Sequence, residues 1–216
     1  MTPFDDQRHR LDGDARLELA DVTREVIDQL ASSTADSEAF AAARDLLRDA
    51  VALLRSAPHG RPYEEAEASL MTYQQHKHID HSPFIGPLNP LAPPIEMTIN
   101  ATEVTGLVVF GDAYEGPPGC VHGGVIAAAF DEVLGFAQGL SGAPGMTARL
   151  TINYRSPTPL HRQLRFRADI ERIDGRKIYA RGELRVVDDD RLCAEADGLF
   201  LSMRTDMFTR LMEGRA

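Results

Sequence analysis

The run EGPPGCVHGGVIAAAFDEVLGFAQGL, from Glu115 to Leu140, decides the fold. Pro117, Pro118 and Gly119 break any preceding element, and the pair Gly123-Gly124 lets the backbone turn sharply with its amides unshielded. Beyond it the chain is apolar on nearly every side of a helix, through Val125, Ile126, Ala127, Ala128, Ala129, Phe130, Val133, Leu134 and Phe136. A surface helix shows one apolar stripe; a helix apolar all round is enclosed by the rest of its domain. Asp131 interrupts this surface about two turns in. An amide at a helix N-terminus is a site for developing negative charge, and a carboxylate on the same rigid rod is a base, which together suggest acyl-transfer chemistry.

Working outward, strand-like runs flank this helix. Ile95 to Asn100 and Val104 to Phe110 precede it. After it, Met146 to Arg155 alternates strictly, with Met146, Ala148, Leu150, Ile152 and Tyr154 on one face and Thr147, Arg149, Thr151, Asn153 and Arg155 on the other. Leu164, Phe166, Ala168 and Ile170 alternate next, Asp174-Gly175 reads as a hairpin turn, and Ile178, Ala180, Leu184 and Val186 continue beyond it. Asp188 to Asp190 turn the chain again before Leu192 to Met203. An antiparallel meander wrapping one apolar helix is expected, an α+β fold over residues 95–205.

Residues 1–57 read as a helical extension. Leu19, Val22, Val26 and Leu30 form one stripe, and Phe40, Ala43, Leu47, Val51 and Leu54 a second, with Ser33 to Asp36 in the form of a capping box between them. Such helices cover a domain surface or the edge of a dimer. Residues 58–94 hold Pro58, Pro62, Pro83, Pro87, Pro90, Pro93 and Pro94, which forbid long regular elements and make this an irregular connection.

The net charge of −10 argues against a nucleic-acid partner. Residues 145–185 nevertheless carry ten Arg or Lys against four Asp or Glu, a local surplus that would suit an anionic ligand. The charged N-terminal run lacks the apolar stretch of a signal peptide, two cysteines are too few for a disulfide framework, and no apolar run reaches membrane-spanning length. A cytoplasmic setting is the expectation.

Glu115 to Gly124, the helical Asp131, MTARLTINY from Met146 to Tyr154, and Asp174-Gly175-Arg176-Lys177 together resemble the hotdog-fold acyl-CoA thioesterases of the PaaI-like group, above all their animal relatives. The resemblance covers about residues 110–203. It implies a hotdog fold, hydrolysis of acyl-CoA without a cofactor, and a homodimer or a dimer of dimers. It further implies that the Gly123 N–H binds the thioester oxygen, that Asp131 is the catalytic carboxylate, and that Thr147 helps hold the attacking water. Asn153, Arg155 and Arg176 are implied to bind the nucleotide of CoA, with Lys177 and Gly124 beside them, because guanidinium forks and an amide suit phosphates. His122 either orients the loop or touches substrate. Glu132 points about 100° away from Asp131 and reads as a surface or salt-bridge residue.

Eight helical residues separate Gly123 from Asp131, about 12 Å at 1.5 Å each, too far to act on one carbonyl. If both act, the site is composite, drawn from two subunits. Two other readings remain: a non-catalytic acyl-CoA-binding module of the same fold, and a metallo-β-lactamase-like hydrolase. The second rests on His76-Lys77-His78-Ile79-Asp80-His81, whose HxHxDH form could hold zinc. Its context is wrong for that fold, which needs a buried strand before it and further ligands after it, so no metal is expected.

Overall fold

The computed structural model describes residues 14–58, 79–143 and 145–202. Its elements are α1 (Ala15–Ser32), α2 (Ser37–Arg55), β1 (Glu96–Ile99), β2 (Glu103–Val108), α3 (Gly123–Gly139), β3 (Gly145–Tyr154), β4 (Leu164–Asp174), β5 (Lys177–Val186) and β6 (Leu192–Ser202), with short 3-10 turns at Ile79–His81 and Asp112–Tyr114. Each strand lies within two residues of the run expected for it on the N-terminal side, and the hairpin turn falls at Gly175, whose φ of 56° favours a residue without Cβ.

The six strands form one antiparallel sheet in the order β1-β2-β4-β5-β6-β3. This corrects the expected meander. β3 follows α3 in the chain but pairs with β6, so it forms an edge of the sheet and β2 pairs directly with β4. The crossover through α3 is what lays the helix across the sheet.

The inner face is made by Leu164, Phe166 and Ala168 of β4, Ile178, Ala180 and Leu184 of β5, and Ala194, Ala196 and Phe200 of β6, all buried. Against it α3 buries Ile126, Ala129, Phe130, Val133, Leu134, Phe136 and Ala137. Phe130 meets Phe166 edge-to-face, with centroids 5.0 Å apart at 88°. The close approach depends on Gly182 and Gly198: a Cβ on either would sit 3.3 Å from α3, from Phe130 and from Leu134 respectively. One helix enclosed by a single antiparallel sheet is the hotdog arrangement.

The N-terminal helices form as their stripes require, with one correction. Asp36, not Ser33, caps α2, its carboxylate accepting from the Ala39 N–H at 2.8 Å, while Ser33 Oγ accepts from the Ala35 N–H in the link. α1 lies on the domain through Leu17 and Ala20, and Arg24 donates to the backbone carbonyls of Pro87, Asn89 and Ala92. α2 buries no residue.

Phe130→Ala removes the ring at the centre of the helix–sheet contact. It should lower stability by about 3–5 kcal/mol, read as a lower urea midpoint at unchanged m-value.

Candidate active site

The sequence EGPPGCVHGG folds into a tight hairpin that aims the start of α3. The Cys120 N–H closes a turn onto Pro117 O at 2.8 Å, with Pro118 supplying a fixed φ and Gly119 a φ of 70°, the pattern of a type II turn. Glu115 Oε1 accepts from the Gly119 N–H at 2.7 Å, the Gly116 N–H donates to Cys120 O, and the His122 N–H donates to Tyr114 O. The hairpin therefore delivers His122 to one place.

His122 is the N-cap of α3: its Nδ1 accepts from the Gly124 N–H at 3.0 Å. That bond requires an unprotonated Nδ1 and occupies the second amide of the helix. The Val125 and Ile126 amides both donate to His122 O. Among the described residues, the Gly123 N–H is left as the one amide of the first turn with no acceptor. His122 thus holds the Gly124 amide, and Gly124 is a donor already in use.

Tyr154, at the end of β3, was read from the sequence only as an apolar-face residue. Its hydroxyl donates to Gly123 O at 2.7 Å, and a Cβ on Gly123 would lie 3.2 Å from that oxygen. The first turn of α3 is thus held from two sides, by His122 and by Tyr154. No spacing rule reveals this, since the contact joins residues 31 apart.

Asp131 and Thr147 come together: Thr147 Oγ1 donates to Asp131 Oδ1 at 2.8 Å. The contact exists because of a β-bulge. β3 pairs Thr147 with Phe200 but Arg149 with Leu199, so Ala148 is extra and the side-chain alternation flips there. Thr147 therefore shares the inner face with Leu150, Ile152 and Tyr154, and the expectation that Asn153 and Arg155 share its face is corrected: they lie on the outer face. Asp131 is exposed in the single chain, as is Thr147, on the side of α3 next to the free edge of β3.

Glu132 was expected at the surface or in a salt bridge. It is half-buried instead under the segment that follows residue 79, accepting from Ser82 Oγ at 3.0 Å, while Ser82 Oγ also accepts from the Phe84 and Ile85 amides. Burial pushes its carboxyl above the ordinary value, with Ser82 opposing the shift and the charge of Asp131 adding to it. Of the HxHxDH run, His76 and His78 lie outside the described residues; Asp80 is buried, and burial pushes the His81 imidazole down. Among the described residues, no three His, Cys, Asp or Glu side chains converge as metal ligands would.

The cationic surplus of residues 145–185 is neutralised in space by acids that mostly lie elsewhere in sequence. Arg155 pairs with Glu195, Arg167 with Glu103, Arg165 with Asp190 and Arg181 with Asp169. A groove of about 490 Å³ on the outer face includes Asn153 and Arg155, but its three Arg stand against four acids, so it is no anion trap. Arg176 donates from Nε and Nη2 to Ser202 O, and Lys177 is exposed beside it. Lys177 lies one row beyond Thr147 and Arg176 one residue further, both two strands away from β3, because Thr147 pairs with Phe200 and Phe200 with Ile178.

A family model described as Thioesterase superfamily matches residues 118–193. A crystal structure of a thioesterase superfamily protein superposes with a TM-score of 0.73 at 34% identity, covering 88% of this chain and 96% of that one. The chain belongs to the thioesterase superfamily. It is also 38% identical over 93 residues to acyl-coenzyme A thioesterase THEM4 of Xenopus laevis, and 36% identical over 93 residues to THEM4 of Bos taurus. Those matches cover 43% of this chain and 42% and 38% of the two relatives, so the chain spans about two fifths of their length. The matched stretch begins inside the hairpin at Pro118 and holds α3 and the Asp131–Thr147 pair.

Two measurements follow from this geometry. Glu132→Gln keeps the Ser82 bond and removes a buried charge. A carboxyl raised in the folded state contributes stability below its ordinary value of 4.5 and loses it as pH rises through the raised one. The Gln variant should therefore gain stability relative to wild type at pH 7 more than at pH 4 in urea titrations; equal shifts at both would show that the group is not linked to folding. Tyr154→Phe removes the bond to Gly123 O and should lower stability by about 1 kcal/mol, read as a slightly lower urea midpoint.

Proposed function

We propose that this protein hydrolyses acyl-CoA thioesters to free acid and CoA, at a site completed by two copies of the chain. The observation that carries the reading is the pairing of one unoccupied helix-N-terminal amide, Gly123, with one exposed carboxylate already held by a strand hydroxyl, Asp131 on Thr147. The similarity to acyl-coenzyme A thioesterases supports the substrate class.

In this mechanism the Gly123 N–H of one subunit, reinforced by the N-terminal end of α3, binds the thioester oxygen as it gains charge. Asp131 of the partner subunit takes a proton from water as that water attacks the carbonyl carbon. The C–S bond then breaks, CoA leaves as thiolate, and the proton held by Asp131 passes to it. Thr147 fixes the Asp131 carboxylate, so that its second oxygen faces the water. His122 and Tyr154 act through Gly123 as positioning residues.

The two halves cannot come from one chain, because Gly123 and Asp131 stand about 12 Å apart along α3. The free edge of β3, with Met146 57% and Tyr154 54% exposed, is where a second copy supplies the missing half. Arg176 and Lys177, at the same end of the sheet as Thr147 but two strands away, take the phosphates of CoA on the subunit that supplies Asp131. Asn153 and Arg155 join them only if the nucleotide runs over the outer face, and for Arg155 this means exchanging Glu195 for a phosphate.

Release of free thiol from a panel of acyl-CoAs, aliphatic and aromatic, tests the reading. Turnover on at least one chain length is expected, and it should survive chelators. Binding of acyl-CoA with no thiol release on any member would instead mark a binding module. Asp131→Asn keeps size and packing and removes the base. Turnover should fall by at least about a hundredfold while substrate binding persists, and a variant that keeps most of its kcat would make the carboxylate structural.

A further inference from the structure

The N-terminal helices carry apolar surface that nothing described in their own chain covers. α1 rests on the domain through Leu17 and Ala20, and its opposite stripe, Leu19, Val22, Val26 and Leu30, faces away, with Val22 54% and Leu30 65% exposed. α2 buries no residue, although Phe40, Leu47, Val51 and Leu54 repeat along one side of it. In proteins most helical stability comes from packing of an amphipathic face, which α2 lacks among the described residues. An exposed apolar stripe of this extent marks a contact surface.

We propose that the occupant is a second copy of this chain, with α1 of each copy lying parallel to α2 of the other. The two stripes match in register. Leu19 corresponds to Phe40, Val22 to Ala43, Val26 to Leu47 and Leu30 to Val51, so the same spacing of three, four and four residues runs along both helices and they present matching seams. The charges beside the seams are complementary as well. Glu18 and Glu25 border the stripe of α1 along one edge, and Arg44 and Arg55 border the stripe of α2. When two such helices face each other in parallel, those edges meet, and the heptad rule sets Glu18 against Arg44. In an antiparallel pair they fall on opposite sides of the seam.

The link forbids this pairing within one chain. To lie parallel and in register, the start of α2 must return to the level of Arg16, about 24 Å back along α1. Residues 33–36 join the helices, and so short a connection spans at most about 18 Å. The parallel partner therefore comes from another copy, and a two-fold axis gives every stripe one partner in a closed pair.

Cysteines at Val26 and Leu47, which face each other in this register, test the proposal. Chains carrying Val26→Cys and chains carrying Leu47→Cys are mixed and oxidised mildly, with wild type, which keeps Cys120 and Cys193, as the background. A covalent dimer should form in the mixture, and neither variant alone nor wild type should give it. In a chain carrying both changes, the product should stop at the covalent dimer. Arg44→Glu in the Leu47→Cys chain should lower the yield several-fold, and Glu18→Arg in the Val26→Cys chain should restore it. A double variant that loses its thiols yet runs as a monomer would mean an intrachain hairpin, and absence of cross-linking, with or without flotation on anionic phosphatidylglycerol vesicles, would equally overturn the proposal. Gly123 and Asp131 are untouched throughout, so acyl-CoA hydrolysis is read separately.

Discussion

Burial of α3 against the inner face of a single sheet fixes the positions of both groups that the proposed chemistry uses, the Gly123 amide and the Asp131 carboxylate. The helix is apolar on nearly every side because it is wrapped, and Gly182 and Gly198 let the sheet come close enough to lock it. A locked helix has a fixed N-terminus and a fixed side-chain rank. The hairpin from Glu115 to Cys120 then has one task, which is to deliver His122 as a cap so that the Gly124 amide is satisfied and the Gly123 amide is not. The free donor is thus a product of local capping rules, placed on a rod that the core holds still.

The same rigidity imposes a separation. A helix rises 1.5 Å per residue, so a donor at its first position and a carboxylate eight residues on cannot approach one atom. Either one of the two is idle or a second copy completes the site. Among the described residues β3 is an edge strand, and Asp131 and Thr147 are exposed beside it, which is compatible with the proposed two-copy site. The N-terminal helices add a second uncovered surface whose register also points to another copy. Both readings follow from apolar and hydrogen-bonding groups that one chain leaves unfilled.

Much of the fold was legible in the sequence because its signals are local. The all-round apolar pattern of Val125 to Phe136, the alternation of Leu164 to Ile170, and Asp174-Gly175 each report their own element. The misread features are non-local. Alternation runs unbroken through Thr147, Ala148 and Arg149, so nothing local marks the bulge that turns Thr147 toward Asp131 and leaves Asn153 outside. The charge surplus of residues 145–185 is neutralised because Glu103 and Glu195 arrive from other strands and Asp190 from the turn between β5 and β6. Whether Asp131 or Glu132 would be the sheltered acid depended on Ser82, fifty residues away. Tyr154 escaped notice because an aromatic ring on an apolar face explains itself, and only the structure shows what its hydroxyl holds.

The central claim is that Gly123 and Asp131 act on one substrate from two subunits. Chains carrying Asp131→Asn and chains carrying Gly123→Pro, which lacks the N–H, are each expected to be inactive, and co-folding them is the most direct test. Random pairing makes about half the dimers mixed, and in a mixed dimer one site carries both defects while the other carries neither. Recovery of about a quarter of wild-type activity is therefore predicted. A mixture that stays inactive, although the Gly123→Pro chains fold and pair with the Asp131→Asn chains, would show that the two residues do not meet across an interface and would contradict this mechanism.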